Sequence, residues 1–175
     1  MHGDGGTMSQ HPGLDDKFRL TRTYRLLVRG TNINATSLLA TDYLNHFNEV
    51  VMVLEMVPDM PEIIEEAIEW KPASYIEHFA ASVFSDKELA IWAYKNAPKE
   101  YIEAFEELVA AVDALILRAI AELSQMVETA GEDELRTKVT EHMAGIRELQ
   151  ERIGGVINGT VFRLDQNQID LLFSP

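Results

Sequence analysis

The longest regular pattern of apolar and polar positions runs from Glu132 to Gly159. Apolar residues recur at Leu135, Val139, Ile146, Leu149, Ile153 and Val156, with alternating gaps of four and three once His142 is counted in the seam. A period of about 3.5 residues draws a straight stripe along an α-helix, the form that packs lengthwise on a neighbour. Tyr101 to Val127 carries a matching stripe at Phe105, Leu108, Val112, Leu115, Ala119, Leu123 and Met126. Between the two, Gly131 stops one helix, and Glu132, Asp133 and Glu134 suit the positive end of the next. So short a turn predicts an antiparallel hairpin.

The remaining pieces are shorter. Ser37 to Val57 is apolar on more than one side and predicts a central helix, capped by Asn34 or Thr36 and ended by Pro58 and Pro61. Glu62 to Trp70 reads as two helical turns stopped before Pro72. Ala73 to Phe84 reads as a short helix with Ile76, Phe79, Ala80 and Val83 on one face. Ser85 and Glu88 have the spacing of a capping box for a helix carrying Leu89, Ile91, Trp92 and Tyr94, and Pro98 suits the first turn of the long helix. The expected fold is all-α: a helical bundle with a long antiparallel hairpin and a cap of short helices. Residues 1–17 read as a disordered N-terminus, 18–33 as a basic arm that is extended or helical, 34–160 as the bundle domain, and 161–175 as a C-terminal amphipathic docking helix.

Composition narrows the function classes. The chain has no cysteine, which excludes disulfides, thiolate metal sites and a cysteine nucleophile. Its formal charge of −14 is uneven, because Lys17, Arg19, Arg22, Arg25 and Arg29 crowd into one short stretch. The acidic remainder repels phosphate backbones and argues against a nucleic-acid partner. The basic arm is expected to fold back on the acidic body, with an anionic lipid or an acidic partner as the alternatives. The longest apolar run, Val50 to Val57, is too short to span a bilayer. With no secretory leader read at the start, a cytoplasmic protein is expected.

Candidate chemistry is sparse. A di-iron bundle needs Glu-x-x-His pairs, whereas Glu77-His78 and Glu141-His142 are adjacent and point about 100° apart around a helix. No metal site and no cofactor is therefore expected. His142 is the candidate for phosphotransfer, set against a structural, hydrogen-bonded histidine in the seam. No phosphate-binding glycine loop or nucleophile elbow occurs.

The sharpest local signal is the tail. Asp165 and Gln168 have capping-box spacing, Leu164 can staple onto Ile169, and Ile169, Leu172 and Phe173 form one apolar face. That is the form of a helical peptide that docks in a partner's groove. The stretch resembles the CheY-binding peptide of FliM-type flagellar switch proteins, Leu-Ser-Gln-x-Glu-Ile-Asp-x-Leu-Leu/Phe. It matches at Leu164, Gln166, Ile169, Asp170, Leu172 and Phe173, and departs at Gln168 and Leu171. The plan is also similar to the chemotaxis phosphatases of the CheZ family, which join a helical hairpin, a dimeric bundle and a CheY-binding terminal helix. Their catalytic segment resembles residues 149–157, with the acidic position at Glu151 beside Gln150. The glutamine that positions the attacking water in that family falls on Gly155, which has no side chain to do so.

The resemblance implies a non-catalytic regulatory or adaptor protein of a chemotaxis or two-component pathway. It would bind a CheY-like response regulator through Gln166, Ile169, Asp170, Leu172 and Phe173, and work as a homodimer. The alternatives are a CheZ-like aspartyl-phosphate phosphatase, using Glu151 and Gln150, and a histidine phosphotransfer protein.

Overall fold

The computed structural model describes residues 22–161 and 164–173, without the side chains of Gln166, Ile169, Leu172 and Phe173. The expected disorder of residues 1–17 lies outside the described residues. A short helix, α1 (22–27), is followed by a loop, a 3₁₀ turn at Thr41–Leu44, and α2 (Asn45–Met56). A second 3₁₀ turn, Pro61–Ile63, leads into α3 (Ile64–Glu69). Then come α4 (Tyr75–Ala81), α5 (Lys87–Lys95), α6 (Lys99–Met126), α7 (Glu132–Ile157) and α8 (Gln166–Phe173). Among the described residues the extended pairing is a single antiparallel bridge, Ile33 to Ala40, so the fold is all-α.

The hairpin forms as its periodicity dictates. α6 and α7 pack along their length. Contacts at both ends fix their sense: His142 meets Glu122 near the turn, and the Tyr101 hydroxyl donates to the Gly159 carbonyl at the open end. The α6 stripe is buried from Tyr101 to Leu123. On α7 the seam runs through Leu135, Val139, Met143, Ile146, Leu149, Ile153 and Val156. This corrects the expectation for His142, since Met143 takes the seam position. Both residues lie within a helical turn of Val139, and the thioether enters the core without needing a hydrogen-bond partner. The imidazole moves to the flank, where it finds a carboxylate.

The third long helix is shorter than expected. Ser37 to Ala40 is not helical, because the Asn34 side chain accepts from the amides of Thr36 and Ser37 and closes a tight turn. Leu38 then takes a left-handed backbone, with φ 61°, which ends any helix started there. Leu38, Leu39 and Ala40 are wholly buried, and Ser37 is buried with them. The Ser37 hydroxyl donates to the Ile157 carbonyl and so plugs the C-terminal end of α7. α2 packs on α7, and α3 packs on both α2 and α6.

Two expectations for the short helices also change. α4 buries Tyr75 and Phe79, while Val83 and Ala80 are exposed. The capping box lies at its start, Ser74 with Glu77; α5 begins after Asp86 without a side-chain cap. Of the basic arm, residues 22–33 are described; there Val28 is buried and Tyr24 packs partly against the core. Arg22, Arg25 and Arg29 remain exposed.

Candidate functional site

The sequence-predicted docking residues sit on α8. Its first turn is closed by a reciprocal capping box: the Gln168 amide donates to Asp165 Oδ1 at 2.8 Å, and the Asp165 amide donates to Gln168 Oε1 at 3.1 Å. These two bonds satisfy amides that a helix start leaves without intrahelical partners. Leu164, one residue upstream, is buried in the core and ties the helix to the bundle. Asp170 and Leu171 are exposed, Leu171 at 77%. The side chains of Gln166, Ile169, Leu172 and Phe173, and with them the expected Leu164–Ile169 staple, lie outside the described set.

The second predicted cluster is at the C-terminal end of α7. Glu151 is exposed. Gln150 is half-buried and its amide donates to Asn48 Oδ1 of α2 at 3.1 Å, so it joins two helices. Gly155 lies inside α7, and the helix closes two residues past its end on Gly159, whose φ of +97° suits glycine. Along this stretch Glu151 and Asn158 are seven residues apart and fall on one helical face; Asn158 is exposed there. His142 is 11% exposed at its side chain, with Nε2 3.0 Å from Glu122 Oε2. Burial holds its pKa below the ordinary value, although Glu122 pulls it upward. Arg118 and His142 in turn keep the Glu122 carboxyl below its usual range. The ring's outward nitrogen is thus engaged by a carboxylate, as a structural histidine requires.

A further site joins residues that the sequence keeps apart. His46 on α2 and His78 on α4 stand with ring centroids 5.9 Å apart, at the wall of a cleft of about 610 Å³. Asp42, Glu49 and Glu77 contribute carboxylates to the cleft, and Phe79, Val83 and Phe84 its apolar side. His46 is locked in place. Its Nε2 accepts the Ala73 amide at 3.1 Å, its ring stacks on Trp70 at 5.0 Å, and the Trp70 indole donates to the His46 carbonyl. Burial lowers its pKa to about 4, with His78 adding to the effect. Burial also lowers His78, although the backbone of Asp42 opposes it. The lining carries no lysine or arginine, so the cleft offers phosphate no fixed cation. Among the described residues no group of three or more histidine, aspartate or glutamate side chains is placed to hold a metal ion.

Behind the histidines lies an aromatic layer. Tyr43 stacks on Tyr75 at 5.7 Å, and Tyr75 on Tyr94 at 4.5 Å, with Phe47, Phe79 and Phe105 set edge-on or tilted around them. Each hydroxyl is satisfied: Tyr43 donates to the Ala73 carbonyl, Tyr75 accepts the Ala40 amide, and Tyr94 donates to Glu106. Burial raises all three phenol pKa values. Asp113 lies on α6, and its charge adds to the upward shift of Tyr43. Its Oδ1 is buried without a hydrogen-bond partner, and burial pushes its pKa up to about 6. No sequence period marks this cluster. The nearest signal was Pro72, which interrupts the helical ladder and leaves the Ala73 amide in need of the His46 acceptor.

Comparison of the chain with known protein families, with curated proteins and with solved structures finds no match.

Proposed function

We propose that the protein is a non-catalytic adaptor that presents α8 to a CheY-like response regulator of a two-component or chemotaxis pathway. The observation that carries the reading is the capping box of α8. A helix this short is marginal alone, and a start that satisfies its own amides favours its standing as a preformed docking element. Preformation lowers the ordering cost of binding. The match of Gln166, Ile169, Asp170, Leu172 and Phe173 to the switch-protein peptide supplies the class of partner. Such regulators are cytoplasmic, and the protein is proposed to act there. A homodimer belongs to the same reading, with exposed Met52 and Met56, one turn apart on α2, as apolar surface available to a second copy.

Gly155 argues against the phosphatase alternative, and the Glu122 contact of His142 against phosphotransfer. The test is binding of a purified, phosphorylated CheY-type regulator to the full chain and to a chain ended after Leu164. That boundary keeps the buried leucine in the core. Binding should be lost with the tail, and phosphate release should stay at the regulator's own rate. Equal binding by both chains would overturn the proposal, and release rising in proportion to added protein would restore the phosphatase reading.

A further inference from the structure

The described arginines fall into two groups. On the bundle, Arg118 pairs with Glu122, Arg136 with Asp59 and Glu132, Arg147 with Glu55, and Arg152 with Glu148. On the arm, Arg22, Arg25 and Arg29 are exposed, and their guanidinium groups make no hydrogen bond or ion pair among the described residues. In a chain of net charge −14, these three arginines without carboxylate partners stand together within eight residues. Arg22 and Arg25, three apart on α1, lie about 60° from one another at helical pitch, and Arg29 follows in the turn that ends the helix. Leu26 and Leu27 are interleaved with them and stand 54% and 56% exposed. Tyr24 and Val28 pack on the core, opposite Leu26, with Arg25 and Leu27 on the two flanks. The body therefore holds this short basic, leucine-bearing face outward.

The geometry points to an anionic lipid surface as the occupant of this face: the arm is a peripheral membrane contact. Charge selects an anionic partner, and the two leucines select one with an apolar layer beneath its charges, which a phosphate backbone lacks. The acidic body does not cancel the attraction. At ordinary ionic strength the Debye length is about 8–10 Å, so the charges nearest the membrane dominate. The stretch that follows Arg29, residues 30–41, carries no charge at all.

The test is co-sedimentation of the full chain with phosphatidylcholine vesicles, with and without phosphatidylglycerol. Wild-type protein should bind the anionic vesicles and not the neutral ones. It should release at about 1 M salt, where the Debye length is about 3 Å. The triple variant R22Q/R25Q/R29Q should bind on the order of 100-fold more weakly, about fivefold per arginine. Leu26→Ser with Leu27→Ser should weaken binding while leaving the salt dependence in place. Because all five side chains are exposed, circular-dichroism melts of both variants should match wild type, which separates lost contact from lost fold. Failure to bind anionic vesicles, or equal binding by the arginine variant, would overturn the proposal. Arginine-dependent self-association in sedimentation velocity without vesicles would overturn it in favour of the acidic face of a second copy. An arginine-dependent shift of an oligonucleotide would overturn it in favour of nucleic acid.

Discussion

Along α6 and α7 the buried side chains are mostly aliphatic, come at helical spacing, and touch their counterparts all along the hairpin. Between Ser37 and Tyr94 the buried aliphatics are joined by the rings of Tyr43, Phe47, Tyr75 and Phe79, and the turns are pinned by side chains that bond to distant backbone, as Ser37 does to Ile157, Tyr75 to Ala40, and His46 to Ala73. Hairpin stability is spread over many similar methylene contacts, whereas the capping layer concentrates it in a few directional bonds. The difference predicts two kinds of fragility. The hairpin should respond to lost volume, and the cap to the loss of single polar atoms.

The largest effect should come from the hairpin. Leu149 is wholly buried, so Leu149→Ala should cost about 2–5 kcal/mol, read as a lower urea midpoint. A loss below about 0.5 kcal/mol would mean that this stripe is not the core. Next in size is Tyr75→Phe, which removes one oxygen and no packing. It leaves the buried Ala40 amide without an acceptor, at a cost of about 1–3 kcal/mol. An unchanged midpoint would show that the cap is held by its rings alone.

A smaller effect of opposite sign is expected at Asp113. Its folded-state pKa of about 6 lies above the ordinary value of 3.8. Between those values the folded chain holds a proton that the unfolded chain has released, so Asp113 makes stability fall as pH rises through the window. Partial solvent access trims an upper bound of about 3 kcal/mol to about 1–2 kcal/mol. Asp113→Asn should therefore be more stable than wild type by that amount at pH 8, with the gain fading to nothing below pH 3.8. His46 works in the opposite direction. Its pKa is lowered from 6.5 to about 4, so its contribution is full above 6.5 and is lost as pH falls towards 4. The two oppose each other over nearly the same range, so wild-type stability should vary less with pH than that of Asp113→Asn. A gain for Asp113→Asn that is equal at both pH values would rule out the carboxylate as its source.

The contrast also explains what could be read in advance. The hairpin, its turn at Gly131 and the acidic first turn of α7 were legible because each is a local pattern with one physical meaning. The start of α2 was not. Ser37, Leu38 and Leu39 look like helix core, and only the Asn34 turn and the contact with Ile157 show that they plug the end of α7. His142 and Met143 fit the helical period equally well, and the choice fell to Glu122, twenty residues away. The capping box of α8 was visible at short range as Asp165 and Gln168. The pairing of His46 with His78 across 32 residues had no sequence signal, since it depends on how α4 is laid against α2.

Phe173→Ala tests the docking reading most directly, measured for melting temperature and for affinity to a phosphorylated CheY-type regulator on the same preparation. A docking helix predicts an unchanged melt and an affinity lower by roughly 10-fold or more, since truncating an aromatic anchor typically costs about 2 kcal/mol or above. A helix that serves as core predicts the reverse. A melt lowered by a loss on the order of 3 kcal/mol, with binding unaltered, would contradict the adaptor function.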